Sequence, residues 1–427
     1  MDPPPSSPSH APTPRVVSCP IPERRIDPDA AKVVRRLTRY GYQAFLVGGC
    51  VRDLLLGRTP KDFDVATSAR PSDIKSLFRN CRVIGRRFRL AHILFGGTKV
   101  IEVATFRRDP TLEIEATEWS EDSDDPAVRP RVKNRDEDLL IRQDNVFGDP
   151  HEDAVRRDFT MNALFYDLDR QEIVDYVGGL DEIDRRVIRT IGEPDVRFRE
   201  DPVRILRAIK FAARLDLGIE PDVYDAMIAH REDLLRSARP RLMEELLRLL
   251  RGGAARRSFW LAWETGVLAV LLPELSSFLD DDEKFRTRLW KRLALVDAQV
   301  ASGRGAPSDP VLLSTLLHEP VEEAIEGERD PLLAVSAYLE DAIERLSIPR
   351  RLVDRLRSIL AAQKRLRTGR VGAMARRDFF AEAAATYALD AEARGCDPDE
   401  IRAVLAGRDP HGKGRREPAR TATEPNG

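Results

Sequence analysis

The stretch LVGGCVRDLLLGRTPKDFDVAT, residues 46–67, decides how the rest of this chain is read. Phe45, Leu46 and Val47 suit a short buried strand. Gly48-Gly49 suits a tight turn with close backbone approach, and residues 51–56 the first turns of a helix. Amides freed at such a helix start attract anions, and Arg52 adds a planar fork of donors for phosphate oxygens. In the extended segment that follows, Phe63 and Val65 face one way and Asp62 and Asp64 the other, because side chains alternate along a strand. Two carboxylates on one side can hold metal ions, which in a two-metal site lie about 3.5–4 Å apart. Magnesium suits oxygen ligands and accepts a triphosphate in its shell. Gly-Gly before a helix is commonly a plain turn, and Asp-x-Asp a solvated face. Their occurrence together, in strand–turn–helix–strand order, raises the odds of a nucleotidyl-transfer site.

Gly48-Gly49-x-x-Arg52-Asp53 followed by Asp62-x-Asp64 resembles the class II branch of the polymerase-β nucleotidyltransferase superfamily, which holds the bacterial CCA-adding enzymes and poly(A) polymerases. A second block, Arg156-Arg157-Asp158-Phe159-Thr160-Met161-Asn162-Ala163, is similar to that family's RRDFTxNA motif. The resemblance implies that Arg157 contacts the nucleotide's phosphates, Asn162 contacts its sugar, and Asp158 counts with the catalytic carboxylates Asp62 and Asp64. Taken alone, the block reads more simply as an ion pair packing a strand end. Glu102, in the apolar run VIEVATF, is a weaker candidate for the metal shell, since an inward acid is costly without a cation.

The third block runs from Glu200 through Asp201 and Pro202 to Lys210 and Phe211. Proline after an acid marks a helix start with Asp201 as cap, and Arg204, Arg207 and Lys210 then form a basic ridge. A solvated helix face is the common fate of such a ridge. The resemblance implies that Asp201 and Arg204 read the base of the incoming nucleotide, with Arg207 and Lys210 nearer phosphate. A fourth block, residues 83–92 (VIGRRFRLAH), looks like the segment that marks bacterial poly(A) polymerases. CCA-adding relatives carry Gly-Thr after the phenylalanine, where this chain has Arg89-Leu90.

The 427 residues carry a net charge of only −2, so an RNA ligand needs local basic patches. One such patch is expected at Arg236, Arg239, Arg241, Arg248, Arg251, Arg256 and Arg257. Cys19, Cys50, Cys81 and Cys396 show neither zinc nor disulfide spacing, and a reducing cytosol is the default. The histidines show no paired metal spacing. No apolar run reaches membrane-span length, and residues 1–22, rich in Pro and Ser, read as a disordered tail without a secretory signal's centre.

The expected architecture is an α/β head with a mixed sheet over residues 23–167, then an all-α neck (168–235) and body (236–300). A further helical region (301–409) and a loose tail (410–427) follow. The strands at residues 90–95 and 99–106 are joined by a Gly96-Gly97-Thr98 hairpin. An acid-rich insertion at 109–138 reads as a loop over the site or as idle surface. The expected function is a cytoplasmic, template-independent adenylyltransferase acting on RNA 3′ ends with ATP and two Mg2+ ions. The alternatives are a CCA-adding tRNA nucleotidyltransferase and an inactive RNA-binding protein.

Overall fold

A computed structural model describes residues 13–85, 89–108 and 146–407. Residues 1–12, the Arg86-Arg87-Phe88 part of the fourth block, the acidic insertion at 109–138 and the tail at 410–427 lie outside the described residues. The chain forms two compact units, one ending at Ser237 and one beginning at Ala238.

The first unit is built on an eight-stranded mixed sheet. Its strands are β1 (Arg15–Ser18), β2 (Ala44–Val47), β3 (Asp64–Thr67), β4 (Cys81–Ile84), β5 (Leu90–Phe95), β6 (Lys99–Thr105), β7 (Leu164–Asp167) and β8 (Glu172–Asp175), in the order β1-β8-β7-β2-β3-β6-β5-β4. Strands β3 and β6 run parallel, with Asp64 opposite Glu102, and the other neighbours are antiparallel. Gly96 and Gly97 turn the β5–β6 hairpin with φ of 54° and 86°. Two expectations change here. Residues 15–18 are not part of a disordered tail but an edge strand, Val16 facing Val174 and Val17 facing Ile173. The sheet also continues past residue 167, because β8 pairs along the whole of β7.

The first three helices of this unit are α1 (Pro28–Arg39), α2 (Gly49–Leu55) and α3 (Pro71–Leu77). Asp27 caps α1 by accepting from the Asp29 and Ala30 amides at 2.9 and 3.2 Å, and Pro28 takes the first turn, where its missing N–H costs nothing. Ala30, Ala31, Val33, Val34 and Leu37 then form the helix's buried stripe. Phe45, Phe106 and Phe165 meet with ring centroids 5.8 to 6.2 Å apart in a core shared with Val47, Ala66 and Ile191. After β8, Asp175 turns the chain by accepting from the amides of Val177, Gly178, Gly179 and Leu180. Helices Gly179–Arg185, Pro194–Glu200, Val203–Leu215 and Pro221–Ala229 follow. They are not purely α as expected, since Val187–Ile188 and Gly218–Ile219 pair as a short parallel ladder.

The second unit is helical throughout its described residues, from Arg239–Arg251 to Pro398–Leu405. It buries an ionic cluster at the junction of helices Glu283–Ala301, Asp309–Ala324 and Phe380–Ala393. Fully buried Arg292 donates to Glu319 and, at 2.9 Å, to Asp390. Arg288 and Arg394 supply further bonds to the same acids. Burial holds the neighbouring His318 well below the usual imidazole range, so it is neutral there. Removing one partner of a buried pair strands the other charge. Arg292→Leu should therefore cost about 3–5 kcal/mol in urea unfolding of the full chain.

Candidate active site

Strand β3 opens on Asp64, hydrogen-bonded in register between Val47 of β2 and Glu102 of β6. Paired residues share a sheet face, so Asp64 and Glu102 look the same way, and Asp62, just before the strand, is near enough for its charge to act on Asp64. Asp62 is exposed and Asp64 half-buried. Burial, then the charge of Glu102, pushes the Asp64 carboxyl up to about 6, with Asp62 adding to the rise and Arg157 opposing it. Glu102 is not the inward acid expected from its apolar strand. Its side chain is 49% exposed, with an oxygen 3.5 Å from His92 Nε2. Asp62, Asp64 and Glu102 repel one another, which a divalent cation with oxygen preference would relieve, but their oxygens do not all come as close together as those of His318, Glu319 and Asp390.

The glycine turn lies beside this cluster. Gly48 has φ +76°, and a Cβ there would sit 3.3 Å from Arg157 Nη1, so the residue must be small as well as left-handed. Arg157 is held by Asp153 (Nη2 to carboxylate, 2.8 Å) and by the Asn162 carbonyl (3.3 Å), with its guanidinium carbon 5.6 Å from the Phe165 centroid. It is a positioned cation next to both the turn and Asp64. A Cβ on Gly179 would come within 2.3 Å of the Thr160 carbonyl, so the second block can pack down only on a glycine.

Arg52 and Asn162, expected at the nucleotide, and Asp158, expected among the catalytic carboxylates, are hydrogen-bonded in a chain. Arg52 is 3% exposed and points inward. It donates to Asp53 through Nε (2.9 Å) and Nη2 (2.6 Å) and to Asn162 Oδ1 through Nη1 (2.7 Å), with its guanidinium carbon 5.0 Å from the Phe211 centroid. Asn162 in turn donates to Asp158 Oδ1 at 3.0 Å, so both ends of its amide are occupied. Asp158 also accepts from the Phe159 amide at 2.8 Å and from Arg207 at 2.7 and 2.6 Å. Burial alone would raise the Asp158 carboxyl. The Arg207 charge and the hydrogen bonds from Asn162, Arg207 and Phe159 outweigh it and hold the group well below the usual carboxylate range. With its oxygens committed to these bonds, Asp158 braces the site in this structure.

The third block joins the same brace. Helix Val203–Leu215 begins after Pro202 without a side-chain cap, so Asp201 is not the cap that the sequence suggested. Arg204 is 6% exposed and donates from Nη1 to Glu200 and to the Arg197 carbonyl, both at 2.9 Å. Arg197, which no motif singled out, bonds Glu200 and the carbonyls of Arg156 and Arg157 and so ties the second block to the third. Asp201, Arg207 and Lys210 are half-buried, and Lys210 Nζ lies 5.2 Å from the Phe211 centroid.

Of the arginines expected to form a basic patch, Arg236 belongs to the first unit, and three in the second unit are paired with acids. Arg248 pairs with Glu244 and Glu245, Arg251 with Asp309 and Glu244, and Arg239 with Glu344. His318, Glu319 and Asp390 approach closely enough to share a metal, although sequence spacing gave no sign of it. The guanidinium groups of Arg292, Arg288 and Arg394 already pair both acids, so their charge is offset without an ion.

Arg52→Lys keeps the charge but loses the fork. Stability should fall by about 2 kcal/mol, with affinity for a nucleoside triphosphate unchanged. Asp158's folded carboxyl lies below its unfolded value, so its stabilisation is complete above about pH 4 and is lost as pH falls toward the folded value. Asp158→Asn should accordingly flatten the acid limb of a stability–pH curve.

Comparison with known proteins agrees with this geometry. Residues 44–189 match the Poly A polymerase head domain, and residues 216–279 match a domain described as the probable RNA and SrmB-binding site of polymerase A. Poly(A) polymerase I of Escherichia coli is 37% identical over 358 residues, covering 81% of this chain and 74% of that protein. The CCA-adding enzyme of Geobacillus thermodenitrificans is 37% identical over 247 residues, 58% of this chain and 55% of that one. Among solved structures, the Bacillus stearothermophilus CCA-adding enzyme in complex with CTP matches with a TM-score of 0.63 at 26% identity, covering 89% of this chain and 83% of that one. Glycine turn, paired carboxylates, mixed sheet and relatives converge, and the chain belongs to the nucleotidyltransferase family of poly(A) polymerases and CCA-adding enzymes.

Proposed function

We propose that this nucleotidyltransferase is a poly(A) polymerase, adding adenylates from ATP to RNA 3′ ends without a template. The observation that carries the chemistry is the acidic cluster of Asp62, Asp64 and Glu102 beside the Gly48 turn and Arg157. Arg89-Leu90 in the fourth block, and a poly(A) polymerase I relative matched over more of the chain than the CCA-adding relative, favour adenylate tails over CCA ends.

In this reading Asp62 and Asp64 hold magnesium, with Glu102 completing the acidic face. The bound metal would supply activation of the 3′ hydroxyl and charge stabilisation on the leaving pyrophosphate. Arg157, fixed by Asp153, faces the charge that builds on the transferred phosphoryl. Gly48 and Gly49 let the triphosphate approach the backbone. Asp201 and Arg204 read the base, and Glu200 fixes the orientation of Arg204 by holding Nη1. Arg207 and Lys210 add positive charge on the same helix. RNA 3′ ends are the acceptor, and the reaction belongs in the cytoplasm. No helix among the described residues is long and apolar enough to cross a membrane.

Two measurements test this. Purified protein with ATP and magnesium should extend an oligoadenylate primer by many residues, whereas clean addition of CCA to tRNA lacking its terminus, with no tailing, would establish the alternative. Magnesium alone should raise the Tm of the unaltered protein, because a ligand bound only by the folded state stabilises it. Asp64→Asn should abolish both the shift and nucleotide addition without unfolding the chain. An undiminished shift in that variant would remove Asp64 from the metal site.

A further inference from the structure

We propose that the exposed face of α1, on the side of the sheet away from the catalytic carboxylates, is a second binding surface for the RNA backbone. It would take phosphates of the strand upstream of the reacting 3′ end. The inference rests on RNA being the polymer substrate, as proposed above.

The sidedness follows from the register. Glu102 faces with Asp64, and Lys99, three residues earlier on β6, faces the other way. Lys99 Nζ reaches Asp27 and Asp29 at the start of α1, at 2.7 and 2.8 Å. Phe95, paired with Lys99, points to that same side. Helix α1 therefore lies across the sheet from the active site.

Four cations recur on this helix at Lys32, Arg35, Arg36 and Arg39, the spacing of one helical face, over about 10 Å of axis. Past its first turn none of the helix's exposed residues is acidic, although the chain as a whole carries a charge of −2. A solvated face usually mixes signs. Here the cations form one wall of a 430 Å³ cleft completed by Val33, Phe78, Asn80 and Phe95, with no carboxylate among the described residues that line it. The Arg36 guanidinium carbon stands 5.3 Å from the Phe78 centroid and 6.0 Å from that of Tyr40, which sets its plane before any ligand arrives. Arg36 and Arg39 meet no carboxylate among the described residues. Lys32 and Arg35 meet Asp29 and Glu23 only in exposed pairs, which contribute little and can exchange for phosphate. Guanidinium forks suit phosphate oxygens better than a lone carboxylate-rich peptide would require, and the aromatic walls suit bases.

The test uses the full chain and fluorescence anisotropy with a long unstructured RNA, beside adenylation of a short oligoadenylate primer. In R36Q/R39Q, affinity for the long RNA should fall about tenfold, and the slope of log K against log salt should shrink by about 1.4, two contacts at about 0.7 each. Short-primer adenylation should stay unchanged. K32Q/R39Q, which leaves the Arg36 stack intact, should act in the same direction and guards against a packing effect of the first pair. Unchanged affinity and salt slope in both variants would overturn the surface. So would loss of polyglutamate binding with RNA binding intact. Unaltered protein that binds long RNA through these residues but adds no nucleotide would sink the proposed activity and leave this surface standing.

Discussion

A single buried carboxylate organises the polar interior of the first unit. Asp158 accepts from Arg207, Asn162 and its neighbouring amide at once, and Asn162 passes the connection on to Arg52. Charges removed from water are tolerated only when paired and fully bonded. Once Asp158 is placed, Arg207 must come to it, and helix Val203–Leu215 comes with Arg207. The glycine turn is fixed from the other side, because Arg52 lies on the helix that this turn starts. Residues 110 positions apart in sequence are thereby set against each other.

This brace divides labour among residues that the motifs present together. The inward set, Arg52, Asp158 and Asn162, determines where the turn and the third block lie. The outward set, Asp62, Asp64, Glu102 and Arg157, carries the electrostatics that a triphosphate and its metal would meet. The Asp64 carboxyl is pushed up to about 6 by burial and like charge, whereas Asp158 is held down by cations and hydrogen bonds. Opposite shifts in neighbouring carboxylates mark one as poised for a cation and the other as already satisfied.

Much of this was legible in the sequence. Strand β2, the Gly48 turn, the pairing of Asp62 with Asp64 and the Gly96-Gly97 hairpin follow from periodicity and turn chemistry. What sequence could not show is which way a polar side chain points within its motif. Arg52 reads equally as a phosphate fork or an internal brace, and only the fold brings Asn162 to it. Arg197 carried no signal, because its bonds run to backbone carbonyls of a distant block. β1 gives little sequence signal because RVVS is short, sits beside a Pro-rich start and is ordered by distant residues, along β8 and through Arg15 to Asp181. Arg292 and its two acids lie on three different helices, so no local spacing could announce the cluster.

The account depends most on the Asp158–Arg207 pair acting as a brace, and a double-mutant cycle in denaturant measures that directly. Asp158→Asn, Arg207→Gln and the double variant should each unfold cooperatively at pH 7, with a coupling energy of about 2 kcal/mol between the two sites. Additive effects, with coupling below about 0.5 kcal/mol, would contradict the account and return Asp158 to the set of residues that act on the nucleotide.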